Sequence, residues 1–438
     1  QSSYGNYRYL EPNWECSYGY YPVGYGDYLM SYLGPPPART PVTSAQITDA
    51  SVTAAKLATN SVTTVKIAAD NVTTAKIAAA NVTAAKVSSD VSQLGKNLIQ
   101  NGAYNVAQRG TSFAAHADTY SLDRWLYSKD ATAAAITVTQ DTDVPAGEGF
   151  GTSIKIDVTT ADASIAATDL ARFTQRIEAQ NLVQLKYGAS GAKTMTLSFW
   201  IKSTKIGTFS IFAFSEDGSR WFNASYTVDV TNTWEYKTVT IAGDTGGTIN
   251  NDTGIGLIVG WTLIAGSNSV ATADTWAGNA DYAASSYSML DSTSNNIFIT
   301  GVQLEVGSVA TDFEHEPISV TLEKCQRYFE YLSFGIVNGE PVGWGVAGST
   351  STFIAAIPFR VVKRVAPTLG SSAAATFAVV YTGGATAAVG GIAALTAGES
   401  NLQLVGTGVA GSPLTDGASI ILRRDTTDTT FISISADL

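Results

Sequence analysis

The stretch that decides the fold is residues 296–306, which read NIFITGVQLEV and alternate apolar with polar side chains over much of their length. Turn clusters such as Glu216-Asp217-Gly218 separate similar short runs upstream. Strands that bury one face alternate in this way, and Gly, Asp and Ser favour the turns between them. The upstream runs are residues 135–138, 153–158, 196–201, 209–214, 234–241 and 256–261. Many short strands with turns between them predict a β-sandwich over residues 91–317.

The remaining chain, residues 318–438, predicts a smaller C-terminal β-domain with one helix before it. The helix candidate is residues 321–331, where Leu322, Cys325 and Phe329 share one face at spacings i, i+3 and i+7. Apolar runs at residues 355–362 and 419–422 then return to a strand pattern. The fold class is therefore mainly β.

The composition excludes several classes of protein. The chain has 438 residues, with 37 acidic against 26 basic side chains and a net charge of −11. Such a balance disfavours nucleic acid as a partner, because few cations are present to neutralise phosphates. Two cysteines and two histidines leave too few ligands for a transition-metal site. No run reaches about 18 strongly apolar residues, so the sequence predicts no transmembrane helix. The first residues show no secretory signal.

Residues 1–40 hold nine of the twenty tyrosines, interleaved with Gly and Pro, and end near the run Pro35-Pro36-Pro37. This segment is too short and too rich in turns to bury its own rings. Tyrosines bury large areas at low entropic cost, so the segment is predicted to dock onto another protein. A disordered tail is the alternative. The predicted anchoring residues are Tyr4, Tyr7, Tyr9, Trp14, Tyr18, Tyr20 and Tyr21.

Residues 41–90 consist of five tandem decapeptides, of which NVTTAKIAAA (71–80) is representative. Each unit carries two aliphatic side chains five residues apart, and this spacing forms no stripe on a helix and points to opposite faces of a strand. A single chain therefore cannot bury both series, whereas several chains wound together can. The repeat predicts a fibrous, trimeric β shaft, with a helical bundle as the alternative. Its predicted core is Val52, Leu57, Val62, Ile67, Val72, Ile77, Val82 and Val87.

Several motifs resemble parts of known proteins. The VTTAKIA units (72–78 and its neighbours) resemble repeats in tail-fibre proteins of tailed bacteriophages. The segment from NLIQNG (97–102) to DRW (123–125) resembles the opening of a phage receptor-binding β-sandwich. ITGVQLEVG (299–307) is similar to the last strand of carbohydrate-binding-module-like jelly rolls in such fibres. KCQRYF (324–329) resembles the start of the domain that usually follows.

This resemblance implies a homotrimeric virion fibre that is made in the host bacterial cytoplasm and becomes a tail appendage. Residues 1–40 would join the tail through adaptor or nozzle proteins, and the distal domains would bind a bacterial surface glycan. Two alternatives stay open: a structural appendage, such as a neck or head fibre or an adaptor, that never touches the receptor, and a spike that depolymerises polysaccharide.

No catalytic residue is predicted. A Ser-His-Asp site would need His116 or His315, which both fall in stretches typical of solvated linkers. The glycine pattern at residues 406–411 is interpreted as a turn, because Pro413 follows where a dinucleotide-binding helix would run. Hydrolysis by paired carboxylates is the enzymatic rival, but spacing in sequence does not reveal such a pair.

Sugar binding calls for exposed aromatic faces beside amides and carboxylates. The predicted stacking residues are Trp221, Trp276 and Tyr282, which lie in or near polar, turn-rich segments. Trp125, Trp200 and Trp234 lie in strand patterns and are expected in the core. No cofactor is predicted. A structural Ca²⁺ held by backbone carbonyls and carboxylates would suit a jelly roll, although no loop has EF-hand spacing.

Overall fold

The computed structural model describes residues 95–116, 118–334, 341–425 and 430–438, together with the single residue 53. The predicted anchor and nearly all of the predicted shaft lie outside these residues, so both stay predictions. The described chain is mainly β, as the sequence predicts. It forms two β-domains with separate cores, one drawn from Ile99 to Leu304 and the other from Leu332 to Ile434.

The first domain is a sandwich of antiparallel strands. Its strands are β1 (Ser112–His116), β2 (Thr119–Tyr120), β3 (Trp125–Asp130), β4 (Ala135–Asp141), β5 (Ser153–Thr160), β6 (Leu170–Glu178), β7 (Met195–Ser203), β8 (Gly207–Ser215), β9 (Arg220–Val228), β10 (Glu235–Ile241), β11 (Ile255–Ala265), β12 (Tyr287–Ser288) and β13 (Asn296–Val306). Sheet I has the order β1-β4-β5-β13-β7-β10. Sheet II has the order β2-β3-β6-β11-β8-β9, and β12 pairs with β11.

Large aromatic side chains fill the space between the two sheets. The rings of Trp125 and Phe173 stack with centroids 5.4 Å apart, and Trp261 meets the edge of Phe199 at 5.1 Å. All four are buried. Each such side chain contributes roughly 2–3 kcal/mol by leaving water, so this cluster supplies much of the force that holds sheet I against sheet II.

The stretch that opened the sequence analysis forms one strand, β13, with a bulge in it. Ile297 and Ile299 point inward before the bulge, and Val302 and Leu304 point inward after it, so the alternation changes phase between them. Gly301 sits at the change with φ +61°, and a Cβ there would lie 2.5 Å from the Phe150 ring. Glycine adopts this backbone conformation without the steric cost that other residues incur.

The second domain follows one helix. Its elements are α1 (Ile318–Gln326), β14 (Phe329–Phe334), β15 (Pro341–Ala347), β16 (Phe353–Pro358), β17 (Thr368–Ser371), β18 (Phe377–Val380), β19 (Thr386–Ala388), β20 (Gly391–Ala397), β21 (Asn401–Thr407), β22 (Ser419–Arg424) and β23 (Thr430–Ser435). Sheet III has the order β14-β23-β17, and sheet IV has the order β19-β18-β22-β15-β16-β21-β20. Short 3₁₀ turns occur at Ala179–Asn181, Val183–Leu185, Ser267–Ser269, Ala374–Thr376 and Thr382–Gly384.

The predicted helix over residues 321–331 is correct in kind and wrong in its bounds. The helix begins at Ile318, directly after Pro317, and ends at Gln326. Phe329 belongs instead to β14, where it pairs with Ser435 of β23. The sheet hydrogen bonds of β14 are long-range, and the helical periodicity of residues 321–331 carries no sign of them. None of the helices in the described ranges has the length and apolar character needed to cross a bilayer.

Arginines connect the two β-domains. Arg327, just after α1, donates two hydrogen bonds to the buried carboxylate of Glu178 at 2.7 and 3.0 Å. From the sandwich, the Arg124 guanidinium lies 3.3 Å from the centre of the Tyr328 ring, and Arg109 lies 3.6 Å from that of Phe329. Charged and aromatic groups of both domains are therefore desolvated at this contact.

Candidate functional site

The outer face of sheet I carries aromatic side chains. In β7, Phe199 and Ile201 point into the core, so the period of two places Trp200 and Lys202 on the outer face. The neighbouring strands contribute Tyr236 from β10, which pairs with Trp200, and Phe298 from β13, which pairs with Lys202. Trp234, just before β10, completes the group. We call Trp200, Trp234, Tyr236 and Phe298 the aromatic face.

The four rings form two pairs that are partly open to solvent. Trp200 and Tyr236 have ring centroids 5.4 Å apart, and Tyr236 is 44% exposed. Trp234 meets Phe298 in an edge arrangement at 6.3 Å. Trp200, Trp234 and Phe298 are half-buried. Because β7, β10 and β13 hold Trp200, Tyr236 and Phe298 in register, the sheet fixes the spacing between these three rings.

Charged groups border the Trp234–Phe298 pair. The carboxylate of Asp143 accepts hydrogen bonds from the Lys202 amine and from Trp234 Nε1, the latter at 3.0 Å. Burial tends to raise the pKa of Asp143, but these two hydrogen bonds outweigh it and lower that pKa. The Lys202 amine also lies 4.9 Å from the Phe298 ring centre. Across the ring, Lys155 lies 5.8 Å from the same centre and 3.6 Å from Asp157.

This arrangement suits a flat ligand that is apolar on its faces and rich in hydroxyls at its rim. Aromatic faces favour the apolar surface, and the Lys amines and carboxylates are within reach as donors and acceptors. Thr300, opposite Trp200 in the register, is buried, and its hydroxyl donates to Thr152 O at 2.8 Å. Residue types and geometry together make the aromatic face the candidate binding site.

A second aromatic group lies on the outer face of sheet II. Trp221 of β9 stacks on Phe214 of β8, with ring centroids 4.1 Å apart and planes 22° apart. Tyr282 packs edge-on against Phe212 at 4.9 Å, and its hydroxyl accepts a hydrogen bond from Arg172 at 3.0 Å. The segment that carries Tyr282 covers part of this face, which therefore presents less open aromatic surface than sheet I.

The structure thus separates the three predicted stacking residues. Trp221 and Tyr282 join one apolar cluster, whereas Trp276 packs in the main core against Tyr187 and Phe222. The expectation of exposed rings is wrong for Trp276, 9% exposed, and Tyr282, 8% exposed. The loop segment 266–286 folds back on the sandwich and buries them, and the Trp276 indole N–H donates to Ala242 O at 2.6 Å. Trp221 is half-buried, and sugar stacking by any of the three stays a prediction.

The expectation for the strand tryptophans is also partly wrong. Trp125 is fully buried, as expected. Trp200 and Trp234 lie on the outer face of sheet I. In the run Phe199-Trp200 two large apolar residues are adjacent, so the sequence pattern does not reveal which one faces the core. The signal that could have indicated the outer face is Lys202, two residues after Trp200 and on the same side.

A buried acid lies near the second aromatic group. Asp281 is fully buried, and its carboxylate accepts a hydrogen bond from Asn223 of β9. Burial raises the pKa of Asp281 to about 6. Among the described residues, the other Asp281 oxygen has no hydrogen-bond partner. This group is therefore a protonation site inside the fold.

The two histidines lie far apart in the chain. His315 is exposed, and its ring lies 5.2 Å from that of Phe150 and 5.0 Å from that of Phe313. Beside it is a cavity of about 30 Å³ lined by Asn97, Asn105 and Glu314 among others, a volume that suits about one water molecule. The backbone of His116 ends strand β1, where a loop was expected. Within the described ranges no three His, Cys, Asp or Glu side chains converge as metal ligands.

Solved structures contain similar folds over about half of this chain. Tailspike protein 4 of bacteriophage CBA120, described as its enzymatically active domain, aligns with 48% of this chain and 22% of its own at 18% identity, with a TM-score of 0.29. This chain therefore spans about a fifth of the length of that tailspike structure. A family 11 carbohydrate-binding module from Clostridium thermocellum, in complex with a β-1,3-1,4-mixed-linked tetrasaccharide, aligns with 45% of this chain and 97% of its own at 12% identity, TM-score 0.23.

A xylan-binding domain from Paenibacillus barcinonensis aligns with 50% of this chain and 99% of its own at 8% identity, TM-score 0.26. No family model matches the sequence. No curated protein matches it either.

Proposed function

We propose that this chain is a bacteriophage fibre protein that attaches the virion to a bacterial surface polysaccharide through the aromatic face of its sandwich. The observation that carries the proposal is the aromatic face on the outside of sheet I. Its rings are partly open to solvent, and Lys155, Lys202 and Asp143 border the Trp234–Phe298 pair. The motifs that resemble phage fibres support the virion role. Residues 1–40 would anchor the chain to the tail, and the decapeptide repeat would join three copies.

Multivalency would supply the strength of attachment. One shallow face that contacts a sugar through a few rings binds weakly, because it covers little of the ligand's surface. Three copies in a fibre, and several fibres on a virion, make the later contacts intramolecular and raise the avidity without any tighter single site. A repeating polysaccharide offers the matching array of ligands.

The test uses the fluorescently labelled full chain and host bacteria with and without their surface polysaccharide. We expect binding to intact cells and its loss from mutants that lack the polysaccharide. Equal binding to both strains would exclude the glycan as the receptor. Absence of binding to either strain would favour a structural appendage instead.

The same incubation tests the enzymatic alternative. We propose that the protein binds the polysaccharide and leaves its chain length unchanged, so size-exclusion chromatography of the polysaccharide should show no shortening after exposure to the full chain. The appearance of shorter fragments would instead identify a depolymerising spike.

A further inference from the structure

The outer face of sheet IV presents two rows of uncharged side chains. In the first row, Val380 lies opposite Ile421, Ile421 opposite Trp344, and Trp344 opposite Ala356. In the second row, Val346 lies opposite Ile354, and Ile354 opposite Val405. We call Val380, Ile421, Trp344, Val346, Ile354 and Val405 the apolar sheet face.

These side chains depart from the usual pattern of a sheet with one face toward water. An antiparallel sheet normally alternates apolar inward with polar outward residues. Here Trp344 is 59% exposed, Val346 48% and Ile421 37%. The first row continues from Ala356 into Gln403, and the second continues from Val405 into Ala393, so neither contains a charged residue. Arg423, which lies opposite Pro341, belongs to a third row. Contiguous apolar surface rimmed by polar residues is typical of surfaces that bind a protein, a membrane or a ligand.

A groove beside Trp344 adds shape to the face. A cavity of about 450 Å³ lies between Trp344, Tyr381 and Ile421, and is open to solvent. Its lining is mainly apolar side chain and glycine backbone, with the Ser419 and Tyr381 hydroxyls as its polar side-chain groups. The groove therefore suits a large apolar side chain better than a sugar, which requires several hydrogen-bonding groups.

We propose that other copies of this chain cover the apolar sheet face, three around one axis. The first argument is composition: a face without charged groups fits permanent contacts between identical subunits, whose interface cores are apolar and depleted in charge. The second is the decapeptide repeat, whose aliphatic residues at five-residue spacing a single chain cannot bury. Copies joined through the repeat would meet at high effective concentration, so a further apolar contact between them forms readily.

The position of the face within sheet IV suits a cyclic arrangement of copies, of which the proposed trimer is one. Trp344 lies on β15, the middle strand of the seven, and apolar residues extend to both sides of it: Ile421 and Val380 on one side, Ile354 and Val405 on the other. Around a threefold axis each copy contacts one neighbour with each flank, and the central strand faces the axis.

The size of the face is that of an interface core. Each row has apolar side chains on four strands, so the two rows together cover about 19 Å by 14 Å, roughly 270 Å². A standard interface buries about 800 Å² on each partner. The apolar rows would form the dry centre of such an interface, with residues such as Ser419, Gln403 and Arg423 at its rim. This inference rests on the proposed trimer and is independent of glycan binding.

The experiment measures how accessible a thiol is on this face in the full chain. Val346→Cys is made in a Cys16→Ser background, and its matched control is Val230→Cys, at a position 53% exposed on the sandwich. Cys325 is buried, and burial raises the pKa of its thiol, so it stays unreactive in the folded protein. The probe is a maleimide-linked polyethylene glycol, and light scattering gives the mass of each sample.

We expect labelling at position 346 to be at least about 10-fold slower than at position 230, with a mass of three chains. Adding Trp344→Lys should bring labelling at position 346 to the rate of the control. Equal rates at the two positions without that change would overturn the proposal. A slow rate in a chain of monomeric mass would also overturn it, since a segment of the same chain would then cover the face. A dimeric mass would overturn the threefold arrangement.

Discussion

The buried carboxyl of Asp281 makes stability depend on pH at the scale of a single residue. Burial raises its pKa from the ordinary 3.8 to about 6. Between these values the folded protein keeps a proton that the unfolded chain has lost, so this group lowers the free energy of unfolding as the pH rises from about 4 to 6. The full shift corresponds to at most about 3 kcal/mol.

Asp281→Asn should therefore stabilise the protein above pH 6 and have little effect near pH 4. Denaturant unfolding at a series of pH values measures the difference from the unchanged chain, which should grow through this window toward an upper limit of about 3 kcal/mol. Asp416→Asn, at an exposed turn, is the control and should show no such trend. A variant that is less stable at pH 7 would mean that the Asp281 carboxylate is held by a favourable contact.

Individual residues were the hardest features to predict from the sequence. A strand pattern shows which residues share a face, and it correctly places Lys202 on the same face as Trp200. It does not show which face is buried when both faces of the strand carry aromatic rings. The burial of Trp276 depends on where the segment 266–286 crosses the sandwich. That path is set by long-range contacts such as the bridge between Trp221 and Ala277, which local patterns do not encode.

At the scale of elements, Lys363 links the end of α1 to sheet III. Its amine donates to Gln326 O and to the Glu330 carboxylate, both at 2.6 Å, and to Val361 O at 3.1 Å. Lys363 and Glu330 are both fully buried. Burial lowers the pKa of Lys363, although the Glu330 carboxylate opposes this shift. If either residue were removed, water could not reach the remaining charge to solvate it.

Glu330→Ala should cost about 3–5 kcal/mol of unfolding free energy, because it leaves a buried ammonium without its counter-charge. Chemical denaturation that follows the C-terminal domain measures the loss. Arg360→Ala is the control: the Arg360 side chain is 64% exposed and lies 3.7 Å from the same carboxylate, so its removal should cost under about 1 kcal/mol. Similar losses for the two variants would show that the Lys363–Glu330 pair contributes little.

Elements were predicted more successfully than residues. The runs at 135–138, 153–158 and 296–306 correspond to β4, β5 and β13, because alternation is a local consequence of burying one face. The end of α1 and the bulge at Gly301 were not predicted. The former depends on the pairing of β14 with β23, and the latter on the Phe150 ring packed against the backbone.

At the scale of the whole molecule, the contact between Glu178 and Arg327 couples the two β-domains. Burial tends to raise the pKa of Glu178, but its hydrogen bonds to Arg327 and Tyr328 outweigh this and lower the pKa overall. The carboxylate is thus ionised in the folded protein and depends on the arginine for its counter-charge. The coupling should be present above the ordinary carboxyl pKa and weaken as the pH falls toward the lowered value.

Arg327→Ala should separate the unfolding of the two domains, because it leaves Glu178 buried without a partner, at a cost of about 3 kcal/mol. In differential scanning calorimetry we expect one transition for the unchanged chain and two for the variant. Lys324→Ala, which removes a pair with Glu316 next to α1, should keep the single transition. Two transitions in the unchanged chain would show that the domains are independent.

The sequence did not predict the face of sheet IV that we propose for assembly. The apolar sheet face arises from strands far apart in sequence, since β22 and β15 are adjacent in sheet IV and about 75 residues apart in the chain. Each of these strands alone has an ordinary apolar composition. The exposed rows become visible only once the register is known.

The most direct test of the central claim is the affinity of the full chain for a soluble oligosaccharide prepared from the host polysaccharide, measured by isothermal titration calorimetry. Trp200→Ala combined with Tyr236→Ala removes the open ring pair of the aromatic face, and Trp221→Ala removes one ring of the stacked pair on sheet II and serves as the comparison. We predict at least a 10-fold loss of affinity, about 1.4 kcal/mol, for the first variant and no change for the second. Unchanged affinity in the first variant, or a loss confined to Trp221→Ala, would contradict the account.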